Sequence, residues 1–282
     1  MFNKNKRDRV LIKVNVPYLK NLLGNGIEYV YKNGYDSSYN GKKYWKNFGK
    51  WKKNIKYYKL IVLGENFFNH DVSRYIKETN PDCKVIVFFW NKLNLDWYSS
   101  ILEDPNVDDF YTFDENDSKK YNLKFNSTFF SKKLKLPVEK CENDIFFIGR
   151  EKDRKDKILY LKNKLDKLNI KTNFIIVNDE TSYIDYKKVL SFISKSKAIL
   201  DFNAYNQNGL SLRVMESIFF EKKLITTNKN IINYNFYNQN NIFIIGKDNL
   251  DKLKDFLNSE YVKIDNSIVE YYDFENWIKR FK

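Results

Sequence analysis

Histidine occurs once in these 282 residues, and cysteine and methionine only twice each. The two cysteines give no metal-ligand spacing. Cys83 and Cys141 make no disulfide framework and are expected to be free thiols of a reducing cytosol. Long apolar runs are missing as well: no stretch approaches the ~20 apolar residues needed to cross a bilayer. The N-terminal stretch MFNKNKRDRVLIKVNV lacks the apolar core of a signal peptide. The expectation is a cytoplasmic protein, at most peripheral on the inner face of the plasma membrane. There is no internal repeat and, outside a lysine-rich patch at 42–59, no low-complexity tract.

What is present is apolar and basic. Hydrophobic residues make up 43% of the chain and aromatics 17%. That composition supports real cores, and the length suits two domains of about 130–150 residues. Lys, Asn, Tyr, Phe and Ile all have A/T-rich codons, so genome composition accounts for part of the net charge of +14. Its distribution is more telling. Residues 1–60 hold fifteen Lys/Arg against three acids, a balance of +12 that leaves +2 for the rest. A basic N-terminal quarter points to an anionic partner: nucleic acid, an acidic membrane surface or a phosphorylated substrate.

Short apolar runs alternate with helical patterns along the whole length. Strands are expected at Val10–Val14, Leu60–Leu63, Lys84–Phe89, Asp109–Thr112, Asp144–Ile148, Thr172–Val177, Ala198–Phe202, Lys223–Thr226 and Asn241–Ile244. Many are continuous Val/Ile/Phe runs, as in a parallel sheet buried on both faces. Helices are expected at Lys155–Leu168 and Asp185–Ser194, from their apolar spacing. Strand–helix alternation implies βαβ units. The charged stretch KKLKLPVEKCEN (Lys132–Asn143) interrupts the pattern. The expected organisation is a Rossmann-like domain at 1–138, a second at 139–262, and a terminal helix at 263–282 crossing back to the first.

Ligands of open α/β sheets bind at the carboxyl ends of the strands, and three such loops carry suitable chemistry. After Asp144–Ile148 comes GREKDRKDK. Gly149 permits a tight turn, and Arg150, Lys152, Arg154 and Lys155 put cations at a helix start. That suits a diphosphate, although alternating surface charge is a plainer use. In NDETSYIDYKK, Asp179, Thr181 or Ser182 can cap a helix, while Tyr183 or Ile184 can lie against a nucleobase. The third loop runs from Phe202 through Gly209 into a helix starting near Ser211. Gly209 allows close approach, and Leu210–Leu212 offer N–H groups to phosphate. Glu216 lies among Val214, Met215, Ile218 and Phe219. Such a carboxylate needs partners, which a ribose diol would supply, or Arg213 one turn earlier.

The stretch G-L-S-L-x-x-x-E-S at Gly209–Ser217, followed by K-K-L-I-T at Lys222–Thr226, resembles the donor-binding signature of GT-B-fold glycosyltransferases. The wider segment Ser196–Asn228 is similar to bacterial lipopolysaccharide and capsule biosynthesis transferases. The likeness covers the chain from Asp144 onward and weakens before Lys140. It implies an α/β, GT-B-like architecture: two Rossmann-like domains facing each other across a cleft. The activity it implies is transfer of a sugar from a nucleotide-sugar donor to a surface polysaccharide or lipid-linked glycan acceptor. By the same resemblance Glu216 binds ribose. Arg150 holds the diphosphate with Lys152 or Lys155, and Gly209 to Ser211 meet donor phosphate. Where retaining members carry a second Glu eight residues earlier, this chain has Asn208, which can hydrogen-bond a sugar but carries no charge.

GT-B enzymes stabilise the departing nucleoside diphosphate with basic residues and helix dipoles. No DxD motif stands out, since Asp114–Asp117 (DEND) reads as a turn or helix cap, so no metal and no cofactor are expected. An inverting enzyme needs a base from the N-terminal domain. Glu65, after a buried strand, is the first candidate, and Asp36 and the sole histidine, His70, are the others. Trp90 and Asn91, after Lys84–Phe89, would line the same cleft. In residues 42–59 lysines alternate with aromatics, which suits an anionic membrane surface and a lipid-linked diphosphate acceptor. The same composition suits single-stranded nucleic acid, but the donor-type loop favours the sugar reading. A basic nucleic-acid-binding protein and a non-catalytic transferase-like subunit are the alternatives.

Overall fold

A computed structural model describes residues 9–13, 27–29, 54–151, 154–178, 184–203 and 209–281. The chain divides into two compact units, Met1–Asn126 and Ser127–Lys282. The lysine-rich patch at 42–59 lies outside the described residues up to residue 53.

The first unit is built on a six-stranded sheet, β1 (Arg9–Lys13), β2 (Ile27–Tyr29), β3 (Tyr58–Gly64), β4 (Lys84–Phe89), β5 (Asp109–Thr112) and β6 (Lys124–Phe125). The order is β2-β1-β3-β4-β5-β6 and every pairing is parallel. The expected strands from Leu60, Lys84 and Asp109 are all here, and β4 and β5 keep their expected bounds. Ile61 to Leu63 and Val85 to Phe89 are fully buried, because helices must cover a parallel sheet wherever crossovers return the chain. Helices α1 (His70–Thr79), α2 (Leu95–Leu102) and α3 (Glu115–Tyr121) follow β3, β4 and β5. Each starts on an Asx cap: Asn69 accepts from the Asp71 N–H, Asn94 from Asp96, and Asp114 from Asn116 and Asp117. DEND is thus a helix cap. Val72 and Ile76 of α1 and Ile101 of α2 share one core with Ile61, Leu63, Val85 and Val87.

The second unit carries β7 (Asn143–Arg150), β8 (Thr172–Val177), β9 (Ser196–Asp201), β10 (Lys223–Thr226) and β11 (Ile242–Ile244). Their order is β11-β10-β9-β7-β8, again all parallel. The chain leaves β7 for β8 on one side and then crosses to β9 on the other. Right-handed crossovers therefore place α4 (Lys155–Lys167) on one face and α5 (Tyr186–Ser194) and α6 (Leu212–Phe219) on the opposite one. The packing agrees. Ile158, Leu161 and Leu165 of α4 share a core with Phe147, Leu200 and Ile225, joined by Leu253 and Leu257 of α7 (Leu253–Asn258). Phe146, facing the other way on β7, packs against Phe192 of α5, ring centres 5.6 Å apart.

The expected break at Lys132–Asn143 lies inside this unit. Residues 127–132, expected at the end of the first domain, are held by the last two helices, α8 (Asn266–Tyr272) and α9 (Phe274–Ile278). The N–H of Phe130 donates to Tyr272 O at 2.9 Å, and that of Phe274 to Phe130 O at 2.8 Å. Trp277 is fully buried, with its ring 4.2 Å from Phe129 and 4.5 Å from Phe281 and its Nε1–H donating to Ser127 O at 2.7 Å. Cys83 is a buried free thiol, pushed up to about 12 by burial, and Cys141 is an exposed one. Among the described residues no helix is long and apolar enough to cross a membrane.

Truncating Trp277 removes a large buried ring and leaves the Ser127 carbonyl without its donor. Trp277→Ala is expected to cost about 3–5 kcal/mol, read as a fall in the urea midpoint. Trp277→Phe is expected to recover most of the packing, and a midpoint unchanged in the alanine variant would show that the terminal helices contribute nothing to the fold.

Candidate functional site

Because β8 and β9 flank β7, the loops that leave β7 and β9 turn to opposite faces. In open sheets such divergence leaves a crevice at the carboxyl ends of the strands, the general binding position. In this chain the crevice is lined by charge. Asp201, the last residue of β9, is 1% exposed. Its Oδ1 accepts from Ser211 Oγ at 2.7 Å and from Arg213 Nε at 3.3 Å, and its Oδ2 accepts from Thr226 Oγ1 at 3.1 Å. A buried carboxylate is tolerable only with such partners. Ser211 is also the cap of α6, accepting from the Val214 N–H.

Two guanidinium groups meet here from opposite faces. Arg213 Nη1 donates to Ile148 O at 3.1 Å, reaching from α6 back to β7. Arg154, just before α4, donates through Nε to Arg150 O at 3.2 Å and through Nη1 to Phe202 O, reaching from β7 to β9. Both lie over the Phe147 ring, 5.6 and 6.0 Å from its centre, within cation–π range. Gly149 makes room for this arrangement. A Cβ there would fall 2.8 Å from Phe147 Cζ and 3.1 Å from Arg154 Nη2. The turn into α6 is anchored from below, since Thr128 Oγ1 donates to the carbonyl of buried Leu210 at 2.6 Å.

Glu216 lies in the second turn of α6 and is 2% exposed. Its Oε1 accepts from Tyr186 OH at 2.8 Å. Its Oε2 has no hydrogen-bond donor among the described residues, which is uncommon for a buried carboxylate. Burial pushes this carboxyl up to about 7, against the opposing pull of the Tyr186 hydroxyl and the Arg213 charge. No ion pair joins Glu216 directly to Arg213, whose contact partner is Asp201.

The structure sorts the expected donor-site residues unevenly. Gly149 packs against Phe147 and Arg154, Ser211 and Arg213 meet at Asp201, Gly209 and Leu210 precede the Ser211 cap, and Glu216 lies further along α6. Arg150 is exposed. Lys155 is exposed and paired with Glu151 at 2.9 Å, one turn away. Arg154, not Arg150, carries the buried cation of the first loop. Lys152, Tyr183 and Asn208 lie outside the described residues, as do Asp179, Thr181 and Ser182; the residue that caps α5 is Asp185. Asp201 escaped the sequence reading, although an aspartate closing the apolar run AIL is a legible signal. Tyr186 and Thr226 carry no such mark.

In the first unit, Glu65 follows β3 and is 4% exposed. Its oxygens accept from the Trp90 N–H at 2.8 Å and from Asn91 Nδ2 at 2.5 Å. Burial raises this carboxyl, with those donors opposing. Glu65 thus clamps the turn after β4, where Trp90 stacks on Phe113. His70 begins α1 with its side chain 54% exposed, and its Nδ1 lies 2.5 Å from Oδ2 of buried Asp104. Asp104 also accepts from Ser73 Oγ at 3.0 Å and from the Asn106 N–H at 2.8 Å. Burial works to raise this carboxyl, yet the Asn106, His70 and Ser73 bonds together hold it below its usual value. A carboxylate on Nδ1 orients a histidine ring and leaves Nε2 to exchange protons. No protein-family model matches the chain, and no curated protein matches it.

The Glu216 carboxyl makes stability pH-dependent in a definite sense. The folded state holds its proton up to about 7, while the unfolded chain releases it near the ordinary 4.5. Protonation therefore favours folding, fully so below 4.5, and this contribution is lost as pH rises through about 7. The span corresponds to roughly 3 kcal/mol. Glu216→Gln is expected to abolish that decline, so that urea stabilities of variant and parent diverge between pH 5 and 8; parallel curves would show that Glu216 is not buried as described.

Proposed function

We propose that this chain is a glycosyltransferase of GT-B type that uses a nucleotide-sugar donor and a glycan or lipid-linked acceptor. The observation that carries this reading is the buried Glu216 carboxylate, with one oxygen lacking a donor, beside a crevice holding two arginines at the β7/β9 switch point. A nucleoside diphosphate presents a diol and an anion, and the crevice offers an acceptor and cations. Ribose hydroxyls donate to Glu216 Oε2. The diphosphate lies against the first turn of α6 and the guanidinium groups, where backbone N–H groups, helix dipole and cations all favour it. The same groups stabilise the nucleoside diphosphate as it departs, without a call on a metal ion.

The first unit receives the acceptor in this reading. Of its candidate bases, Asp36 lies outside the described residues, and His70 is better placed than Glu65. Both Glu65 oxygens are engaged in holding the Trp90 turn, whereas His70 is exposed and oriented by Asp104. The basic N-terminal quarter, with its aromatic-rich patch at 42–59, holds the enzyme to the anionic inner face of the plasma membrane, where a lipid-linked acceptor resides.

Thermal-shift titration with UDP, GDP, CMP and dTDP sugars is the direct test. One of them is expected to raise Tm, and Glu216→Ala to abolish that rise. His70→Ala is expected to keep the rise and lose transfer, and transfer by the parent is expected to survive EDTA. Stabilisation by single-stranded DNA alone would overturn the reading. Sedimentation with anionic vesicles is expected to be lost on changing Lys50, Lys52 and Lys53 to Glu; unchanged binding would remove the membrane assignment.

A further inference from the structure

Asp201 poses a problem for an anion site. By Coulomb's law a carboxylate beside a phosphate repels it, yet this one closes the strand that borders the crevice. Its contacts offer a resolution. The Ser211 hydroxyl has one hydrogen, and donating it to Asp201 leaves the Ser211 lone pairs for the Val214 N–H. Asp201 thereby sets the rotamer of the α6 cap. With Val214 capped, the N–H groups of Leu212 and Arg213 in the same turn have no intrahelical acceptor and point out of the helix. Asp201 also takes Arg213 Nε, while Ile148 O takes Nη1. Two of the three guanidinium nitrogens are then tied. Nη2 has no hydrogen-bond partner among the described residues, and the side chain is 18% exposed.

We propose that Asp201 is the positioning residue for the donor's diphosphate, a role that rests on the nucleotide-sugar reading above. Being buried, it does not meet the ligand. It holds the cap of α6 and the Arg213 fork in register, so that two backbone N–H groups and the free Nη2 edge converge on one anionic group. Thr226, its third donor, tethers Asp201 to β10, and among the described residues no hydrogen bond joins its side chain to Ser211 or Arg213. Geometry outweighs the adverse charge, because each charge-assisted hydrogen bond requires a fixed donor direction.

The two effects have opposite signs, which makes the test decisive. Calorimetric titrations would compare UDP, GDP, CDP and dTDP with their free nucleosides on the whole chain. Asp201→Asn removes the negative charge with little change of shape. Positioning predicts that it weakens the bound diphosphate about tenfold or more, while nucleoside affinity stays within about twofold. Thr226→Val, which leaves the Ser211 and Arg213 bonds to Asp201 in place, is expected to weaken the diphosphate less than Asp201→Asn and to leave the nucleoside unchanged. Tighter or unaltered diphosphate binding by Asp201→Asn would overturn the proposal. So would equal loss of both ligands, or a loss as large in Thr226→Val. Should Asp201→Asn fail to fold, Ser211→Ala removes the same relay, and the same selective loss is expected; full diphosphate affinity there overturns the idea equally. If no diphosphate or nucleoside binds the parent protein, the nucleotide-sugar reading itself falls, and this inference with it.

Discussion

Parallel pairing is the constraint on which the rest of this structure depends. Every described ladder in both sheets is parallel, so no strand can hand over to its neighbour through a tight turn. Each connection must cross from one edge of the sheet to the other, and helices carry most of these crossovers. This buries strands such as β4 on both faces, and it gathers every strand's carboxyl end on one edge. In the second unit the order reverses about β7, so the loops after β7 and β9 part. The crevice between them follows from connectivity, before any side chain is considered.

Side chains then decide what the crevice is for. Two carboxylates are buried beside it under different conditions. Asp201 receives three side-chain donors and sits in a structural net. Glu216 receives one, and burial dominates its ionisation. A fully paired carboxylate organises its neighbours, whereas an under-paired one is poised for a further partner. The arginines are similarly divided between holding and presenting. Arg154 is committed to two carbonyls that fasten β7 to β9, while Arg213 is fastened at two nitrogens. Phe147 lies under both guanidiniums, so an apolar residue of the core also orients the charged rim.

The first unit shows how burial redirects an inference from residue type. Glu65 looks like a base because a carboxylate follows an apolar strand. In the fold both of its oxygens are occupied by the turn after β4. His70 is an unremarkable lone histidine in sequence. Asp104, 34 positions later, makes it an oriented one. Nothing in local sequence joins these two, since α1, β4 and α2 intervene, and packing of the helices on one face brings them together.

Most strand positions, the starts of α4, α5 and α6 and the α/β class were legible from the chain alone, because periodicity is a local property; α1 and α2, capped at Asn69 and Asn94, were not read from it. The continuous apolar runs of β3, β4 and β9, the cap at Asp114 and the glycine at 149 needed no tertiary knowledge. The Gly209–Ser217 stretch was legible as a turn into a helix for the same reason: glycine, serine cap and glutamate are read within nine residues. Only the tertiary structure decided which charges act. It turned Arg154 inward and left Arg150 and Lys155 exposed, it placed Asp201 under Ser211 and Arg213, and it bound residues 127–132 to the terminal helices. Those outcomes depend on strand order, which residues far apart in the chain settle jointly through the area they bury. Local patterning carries no record of that choice.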